Sequence, residues 1–300
     1  MRGAVLGAAV AVAVLAVVVA PDRPIEARVV RAPGVYVALG DSYSAGTGVT
    51  PGLAAADLAC GRSQRGFPML LPEHVVADRA VVACAGATIA DVLGPHATSS
   101  TPTQADAAPQ LDALDTHVDL VTLTVGGNDL DFAPALRFCV THLDCDRDPY
   151  GGAPSLDAWV ARTLPAIRAD LSVLYARLRE AAPLARIVVL GYPALFPQGE
   201  LASDRTLSCD LIALAFDASE REAIRAWGAA LNATIRSEAE AAGLTFLPLD
   251  EVFRGHEACA EADAWIEPVV FDPDLASGSF HPNAEGHAAI AATIQAAYGG

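Results

Sequence analysis

Short apolar runs, each closed by a glycine or a polar turn, alternate with long stretches that carry a helical stripe. This alternation constrains the fold more than any other feature of the 300 residues. The runs are Val35–Leu39, Ala80–Ala85, Val118–Val125, Arg186–Gly191 and Leu244–Leu249. Near-continuous apolar strands belong to a sheet buried on both faces, whereas a half-exposed sheet would show strict alternation. Between them, Leu164, Ile167, Leu171, Leu174 and Leu178 recur at steps of 3, 4, 3 and 4, the spacing of one helix face. Pro165 must start that helix or kink it. A second helix is expected to open at Asp217, with Glu220 completing a capping box, and to end at Gly243. A last one follows Pro282 and Asn283 and runs to about Tyr298. Strand–helix alternation predicts an α/β chain: a mostly parallel sheet with helices on both faces. No internal repeat and no second domain is visible. Arg137–Pro154 and Gln198–Phe216 fit the alternation poorly and read as insertions over a site.

Arg2, an unbroken small-apolar run from Gly3 to Ala20, and then Pro21, Asp22 and Arg23 have the layout of a secretory leader. The expected organisation is a signal peptide at 1–20 (extending at most to about 27), a spacer at 21–34 and one domain at 35–300. An uncleaved membrane anchor is the alternative, since the run is just short of the ~20 residues a span needs; with the leader cleaved, no stable membrane insertion is expected. Six cysteines, at 60, 84, 139, 145, 209 and 259, all follow the leader. An even count in an exported chain points to three disulfides, and sequence alone permits about 15 pairings.

A formal net charge of −17 makes nucleic acid an improbable partner, because a phosphate backbone repels an acidic surface. All 19 basic residues are arginine. With no lysine, a Walker-type phosphate loop, a pyridoxal-phosphate Schiff base and an S-x-x-K acyl-enzyme site are excluded.

In open α/β sheets, reactive groups collect at the carboxyl ends of the strands. The first run ends in Gly40-Asp41-Ser42-Tyr43-Ser44-Ala45-Gly46. A serine at such a turn can present its hydroxyl to the cleft, although capping the next helix is an equally ordinary role for it. The second run leads to Gly86, and the third to Gly126-Gly127-Asn128-Asp129. Backbone N–H groups of Ser42 and Gly86, with the Asn128 amide, would supply three donors to one oxygen, as the tetrahedral intermediate of ester cleavage requires. Each such donor is worth roughly 10²–10³ in rate. His281 precedes the terminal helix and is positioned to lie over the same edge as a general base. His287 falls inside that helix and reads as a packing or hydrogen-bonding residue.

These four ordered blocks, Gly40-Asp41-Ser42, Gly86, Gly126-Gly127-Asn128-Asp129 and His281-Pro282-Asn283, resemble those of the SGNH (GDSL-type) hydrolases, and they span residues 40–283. Gly191-Tyr192-Pro193 and the six cysteines are similar to the secreted bacterial lipase and esterase branch. The resemblance implies a flavodoxin-like three-layer α/β/α sandwich with a five-stranded, mostly parallel sheet. It further implies Ser42 as nucleophile, His281 as base, an oxyanion hole of Ser42, Gly86 and Asn128, and sequential disulfides Cys60–Cys84, Cys139–Cys145 and Cys209–Cys259. The family usually carries an Asp three residues before the histidine, where this chain has Gly278; Asp274 and Asp272 lie seven and nine residues away. In some secreted members a backbone carbonyl takes that role, so Gly278 or Ser279 is expected to orient the imidazole. Serine at position 44 rules out the G-x-S-x-G elbow.

The expected activity is therefore a secreted esterase or lipase, monomeric and acting on ester or lipid substrates. A carbohydrate O-acetyl esterase, an acyltransferase and a non-catalytic binding module are the competing readings. The apolar stretch Leu211–Phe216 weakly favours an apolar acyl chain. No cofactor or metal is expected. Asp144, Asp146 and Asp148 alternate as in a calcium loop, but Pro149 and Ser155 stand where Gly and Glu are required, so a solvated, disulfide-closed loop is expected. His256-Glu257 lacks the second histidine of a zinc-protease motif, Ala260 occupying its place.

Overall fold

The apolar runs assemble into one five-stranded sheet in the order β2-β1-β3-β4-β5, with every pairing parallel. The computed structural model describes residues 34–49, 59–95, 108–142, 144–202, 206–260, 263–269 and 278–298. The expected leader, nearly all of the spacer, Asp272 and Asp274 lie outside them. The strands are β1 Gly34–Gly40, β2 Val76–Val81, β3 Val118–Thr124, β4 Arg186–Leu190 and β5 Thr245–Leu247. In the central strands Tyr36–Gly40, Leu120–Thr124 and Ile187–Leu190 are buried without a break, as helices on both faces demand.

Described helices are α1 Ser42–Ala45, α2 Phe67–Leu70, α3 Ile89–Leu93 and α4 Phe132–Thr141. There follow α5 Leu156–Ala181, α6 Leu207–Ala215, α7 Ala218–Ala241, α8 Leu249–Val252 and α9 Ala284–Tyr298. One layer joins α3, α5 and α7; the other joins α1, α2, α8 and α9. The result is a three-layer α/β/α sandwich. Helix α7 opens at Asp217 with the reciprocal Asp217–Glu220 capping box, and Gly243 follows its end in the left-handed region.

Three boundaries differ from the sequence expectation. Strand β2 ends at Val81, and the apolar segment to Ala85 is the link that climbs to the site. It is an edge strand with exposed Ala77 and Asp78, so its own apolar signal is weak. Helix α5 starts at Leu156, nine residues before Pro165, because Ser155 caps it by accepting from the Ala158 amide; Pro165 is carried inside. Both supposed insertions contain helix, α4 extending into the first and α6 into the second. In the first, the Cys139–Cys145 bridge closes the loop, but Asp146 is turned inward rather than solvated.

Cys60–Cys84 and Cys209–Cys259 are also bridged. The first fastens the segment after α1 to the link that leads to Gly86. The second fastens α6 to the loop after α8.

Candidate active site

The turn after β1 is built by close backbone approach. Gly40 has φ +117°, and a Cβ there would lie 2.1 Å from the Thr124 carbonyl oxygen, so only glycine fits. Buried Gln110 clamps it, accepting from the Gly40 amide at 2.6 Å and donating to the Gly40 carbonyl at 2.9 Å. The chain then turns into the single helical turn of α1 and presents Ser42 at the wall of a cavity of about 730 Å³.

His281 reaches the same wall from the loop before α9. Its Nδ1 lies 2.9 Å from the Ser279 carbonyl and its Nε2 lies 2.7 Å from the Ser42 hydroxyl. A carbonyl can only accept, so Nδ1 carries the hydrogen and Nε2 is left to accept from Ser42. The Gly278 carbonyl takes a different hydrogen, that of the His281 backbone amide, at 3.0 Å. Of the two carbonyls named from sequence, Ser279 is the one that meets the ring. Burial pulls the imidazole below its ordinary pKa, and the Ser279 contact opposes that only in part.

The loop that carries Ser279 and His281 is strained and tied. Phe280 has φ +61°, unusual for a bulky residue. Its amide donates to the Glu267 carbonyl at 2.8 Å and its carbonyl accepts from the Tyr43 hydroxyl at 2.6 Å. The Glu267 amide donates to the His281 carbonyl at 2.9 Å. These contacts over-determine the backbone and hold the ring where it meets Ser42.

Asn128 lines the cavity and donates one amide hydrogen to the Ala87 carbonyl at 2.9 Å, which fixes the amide and leaves a second hydrogen on the same nitrogen. Gly86 sits at an exposed turn with φ +80°, and the cavity wall does not include it. Asp129 is not part of the cavity wall and accepts from the Ile89 amide; burial pushes it up to about 6.

Asp41 is fully buried and accepts from the Tyr43 amide, the Thr124 hydroxyl and the Tyr192 hydroxyl. Burial raises its pKa to about 6 against the pull of those three donors. The Tyr192 role was not read from the sequence, although Gly191-Tyr192-Pro193 follows β4 and obeys the same strand-end rule. The cavity is walled chiefly by apolar side chains, among them Phe132, Leu136, Leu195, Ile224 and Phe280, with Arg137, Arg225 and Arg254 at polar points. None of Leu211–Phe216 lines it, which removes that stretch as evidence for an acyl pocket; Phe216 instead packs edge-on against Phe280.

A parallel sheet with an apolar cavity across its carboxyl edge, and a serine and histidine in contact at the wall, defines an ester-cleaving α/β enzyme of the SGNH type. The chain belongs to the GDSL-like lipase/acylhydrolase family, whose sequence model matches residues 38–289. "Lipase 2" of Streptomyces coelicolor is 39 % identical over 269 residues, covering 85 % of this chain and 83 % of that protein. The crystal structure of an extracellular lipase from Streptomyces rimosus superposes with a TM-score of 0.68 at 28 % identity, covering 88 % of this chain and 99 % of the other. A phospholipase A1 from Streptomyces albidoflavus superposes with the same score, identity and coverage. The chain is thus a carboxylic ester hydrolase.

Proposed function

We propose that this is a secreted serine esterase or lipase that cleaves acyl esters through a Ser42–His281 acyl-enzyme cycle. The 2.7 Å contact between Ser42 Oγ and His281 Nε2 at the head of the cavity carries the reading. His281 takes the Ser42 proton as the oxygen attacks the ester carbonyl. The resulting oxyanion accepts from the Asn128 amide and the Ser42 backbone N–H, both on the cavity wall, and the family resemblance assigns the third donor to the Gly86 N–H, outside that wall. On collapse, His281 hands the proton to the leaving alkoxide. Water, deprotonated by the same imidazole, then attacks the acyl-serine and releases the acid.

The Ser279 carbonyl does what a carboxylate does in a triad as regards the tautomer: it keeps the hydrogen on Nδ1. A chiefly apolar cavity of about 730 Å³ suits a fatty acyl chain. The leader at 1–20 and a mature domain from residue 35 belong to the same proposal. Support comes from the apolar run at the start of the chain, the three disulfides and the likeness to an extracellular lipase.

The test is direct. A fluorophosphonate labels Ser42 in the wild type, and Ser42→Ala neither labels nor cleaves p-nitrophenyl esters while keeping its thermal transition. Turnover retained by Ser42→Ala rejects the assignment.

A further inference from the structure

We propose that Tyr192 is a positioning residue that locks the turn bearing Asn128 to the turn bearing Ser42. The inference rests on the catalytic reading above. Strands β1, β3 and β4 are neighbours in the sheet, and Tyr192, just beyond β4, reaches across the β3 turn to the β1 turn. Its hydroxyl donates to the Asp41 carboxylate and accepts from the Gly127 amide at 3.1 Å. Asp41 and Gly127 each precede a residue of the site, Ser42 and Asn128. An ionised carboxylate only accepts and an amide N–H only donates, so both bonds of the hydroxyl are directionally fixed. Tyr192 therefore has no hydrogen left to offer an oxyanion. It acts by spacing.

The rest of the residue is braced for this. Asn232 accepts from the Tyr192 amide at 2.8 Å and donates to its carbonyl at 2.8 Å. The ring lies against Gly127, where a Cβ would come within 3.2 Å of Tyr192 Cζ, and meets Tyr43 edge-on at 5.2 Å. Burial and the Asp41 charge hold the phenol well above its ordinary pKa, so it stays a donor at any working pH. Donors that stabilise an oxyanion depend steeply on placement; Asp41 and Thr124 join the two chains at the base of the turns, and the Tyr192 hydroxyl adds the tie between Asp41 and Gly127.

Tyr192→Phe keeps the ring and removes the bridge; Asp41 retains the Thr124 and Tyr43 donors, so the variant folds. Rates are taken per active site, titrated to completion with a fluorophosphonate. With a p-nitrophenyl ester, kcat falls about tenfold, the worth of one hydrogen bond, while KM stays within about twofold. The inhibition constant of a trifluoromethyl ketone, which binds as the tetrahedral adduct, rises by the same factor as kcat/KM falls. In an Asn128→Ala background, adding Tyr192→Phe costs less than about twofold more. An unchanged kcat in Tyr192→Phe overturns the proposal. So does a full tenfold loss in the Asn128→Ala background, which leaves the oxyanion assignment standing. If Asn128→Ala alone keeps the wild-type rate, the oxyanion assignment itself fails, and the Tyr192 proposal with it.

Discussion

Removing the second buried histidine should take a loss of about 2 kcal/mol on acidification out of this fold. His287, in α9, is fully buried. Its Nδ1 accepts from the Phe67 amide at 3.2 Å, so Nε2 bears the hydrogen, and that nitrogen has no hydrogen-bond partner among the described residues. Burial, and secondarily the nearby His281, pull its pKa from 6.5 to about 3. The folded value lies below the unfolded one, so the unfolded chain takes the proton first as pH falls. Stability is complete above the unfolded value and drains away between about 6.5 and 3. At about pH 5 the unfolded chain is favoured roughly thirtyfold, which costs about 2 kcal/mol. Asp41 and Asp129, both raised to about 6, run the opposite way: the folded state gains protons first, a gain on the order of 1 kcal/mol each over the same interval. These opposing contributions overlap in the wild type, so a variant is needed to isolate the histidine. His287→Asn keeps an acceptor near the Nδ1 position but cannot be protonated. It should be less stable near pH 7.5, since the ring packed on Phe67 is lost. The measurement is urea unfolding with disulfides intact at pH 7.5 and pH 5.0. The wild-type advantage should shrink by about 2 kcal/mol on acidification. An advantage of the same size at both pH values would refute the argument.

Three further outcomes are expected. Because burial holds His281 below its ordinary value, the imidazole stays an acceptor into mildly acid solution. The acid limb of kcat/KM should fall below the ordinary histidine pKa of 6.5; a limb at or above it contradicts the depressed imidazole. Gly228 of α7 lines the cavity, and a Cβ there meets nothing within 4 Å among the described residues. Gly228→Leu should fill that space and cut kcat/KM for a p-nitrophenyl palmitate at least about tenfold relative to the butyrate, with an unchanged ratio as the contrary result. Gly278→Asp, which restores the acid usual in the family, should lower both activity and the thermal midpoint, because a Cβ at 278 would sit 2.9 Å from Gly48 Cα. A faster enzyme of unchanged stability would show that the loop yields.

How much of this was legible in the chain depends on whether the cause is local. The apolar runs of β1, β3 and β4 and the Asp217–Glu220 cap were readable because burial on two faces and helix capping write themselves into consecutive residues. The strand-end turns were readable because Gly40 and Gly126 need positive φ, a demand few other residues meet. Strand β2 was misplaced by a few residues for the complementary reason. At the sheet edge Arg79 earns its position through bonds to the carbonyls of Pro68, Met69 and Leu71, which no apolar pattern records. Tyr192 and Gln110 escaped because their partners lie 65 to 151 and 70 residues away. The cavity wall escaped likewise: it draws on α1, α4, α7, α8 and the loops between elements far apart in the chain, and the one apolar stretch proposed for it packs elsewhere.

The missing acid before His281 follows from the same packing. Gly48, at φ +89°, and Gly278 lie back to back, and a Cβ on Gly48 would come within 2.4 Å of Gly278 Cα. A side chain at 278 has no room unless the two backbones separate, and separating them would move the Ser279 carbonyl off the imidazole. Among the described residues, a main-chain carbonyl, that of Ser279, meets His281 Nδ1. The bond to the ring uses the Ser279 main-chain carbonyl, and the frame around Phe280 holds that carbonyl in place: the Tyr43 hydroxyl on the Phe280 carbonyl and Glu267 on either side. A triad concentrates the orienting role in one replaceable carboxylate. Here that role is spread over bonds to two other segments, so the groups that set His281 are the ones that hold the loop's shape.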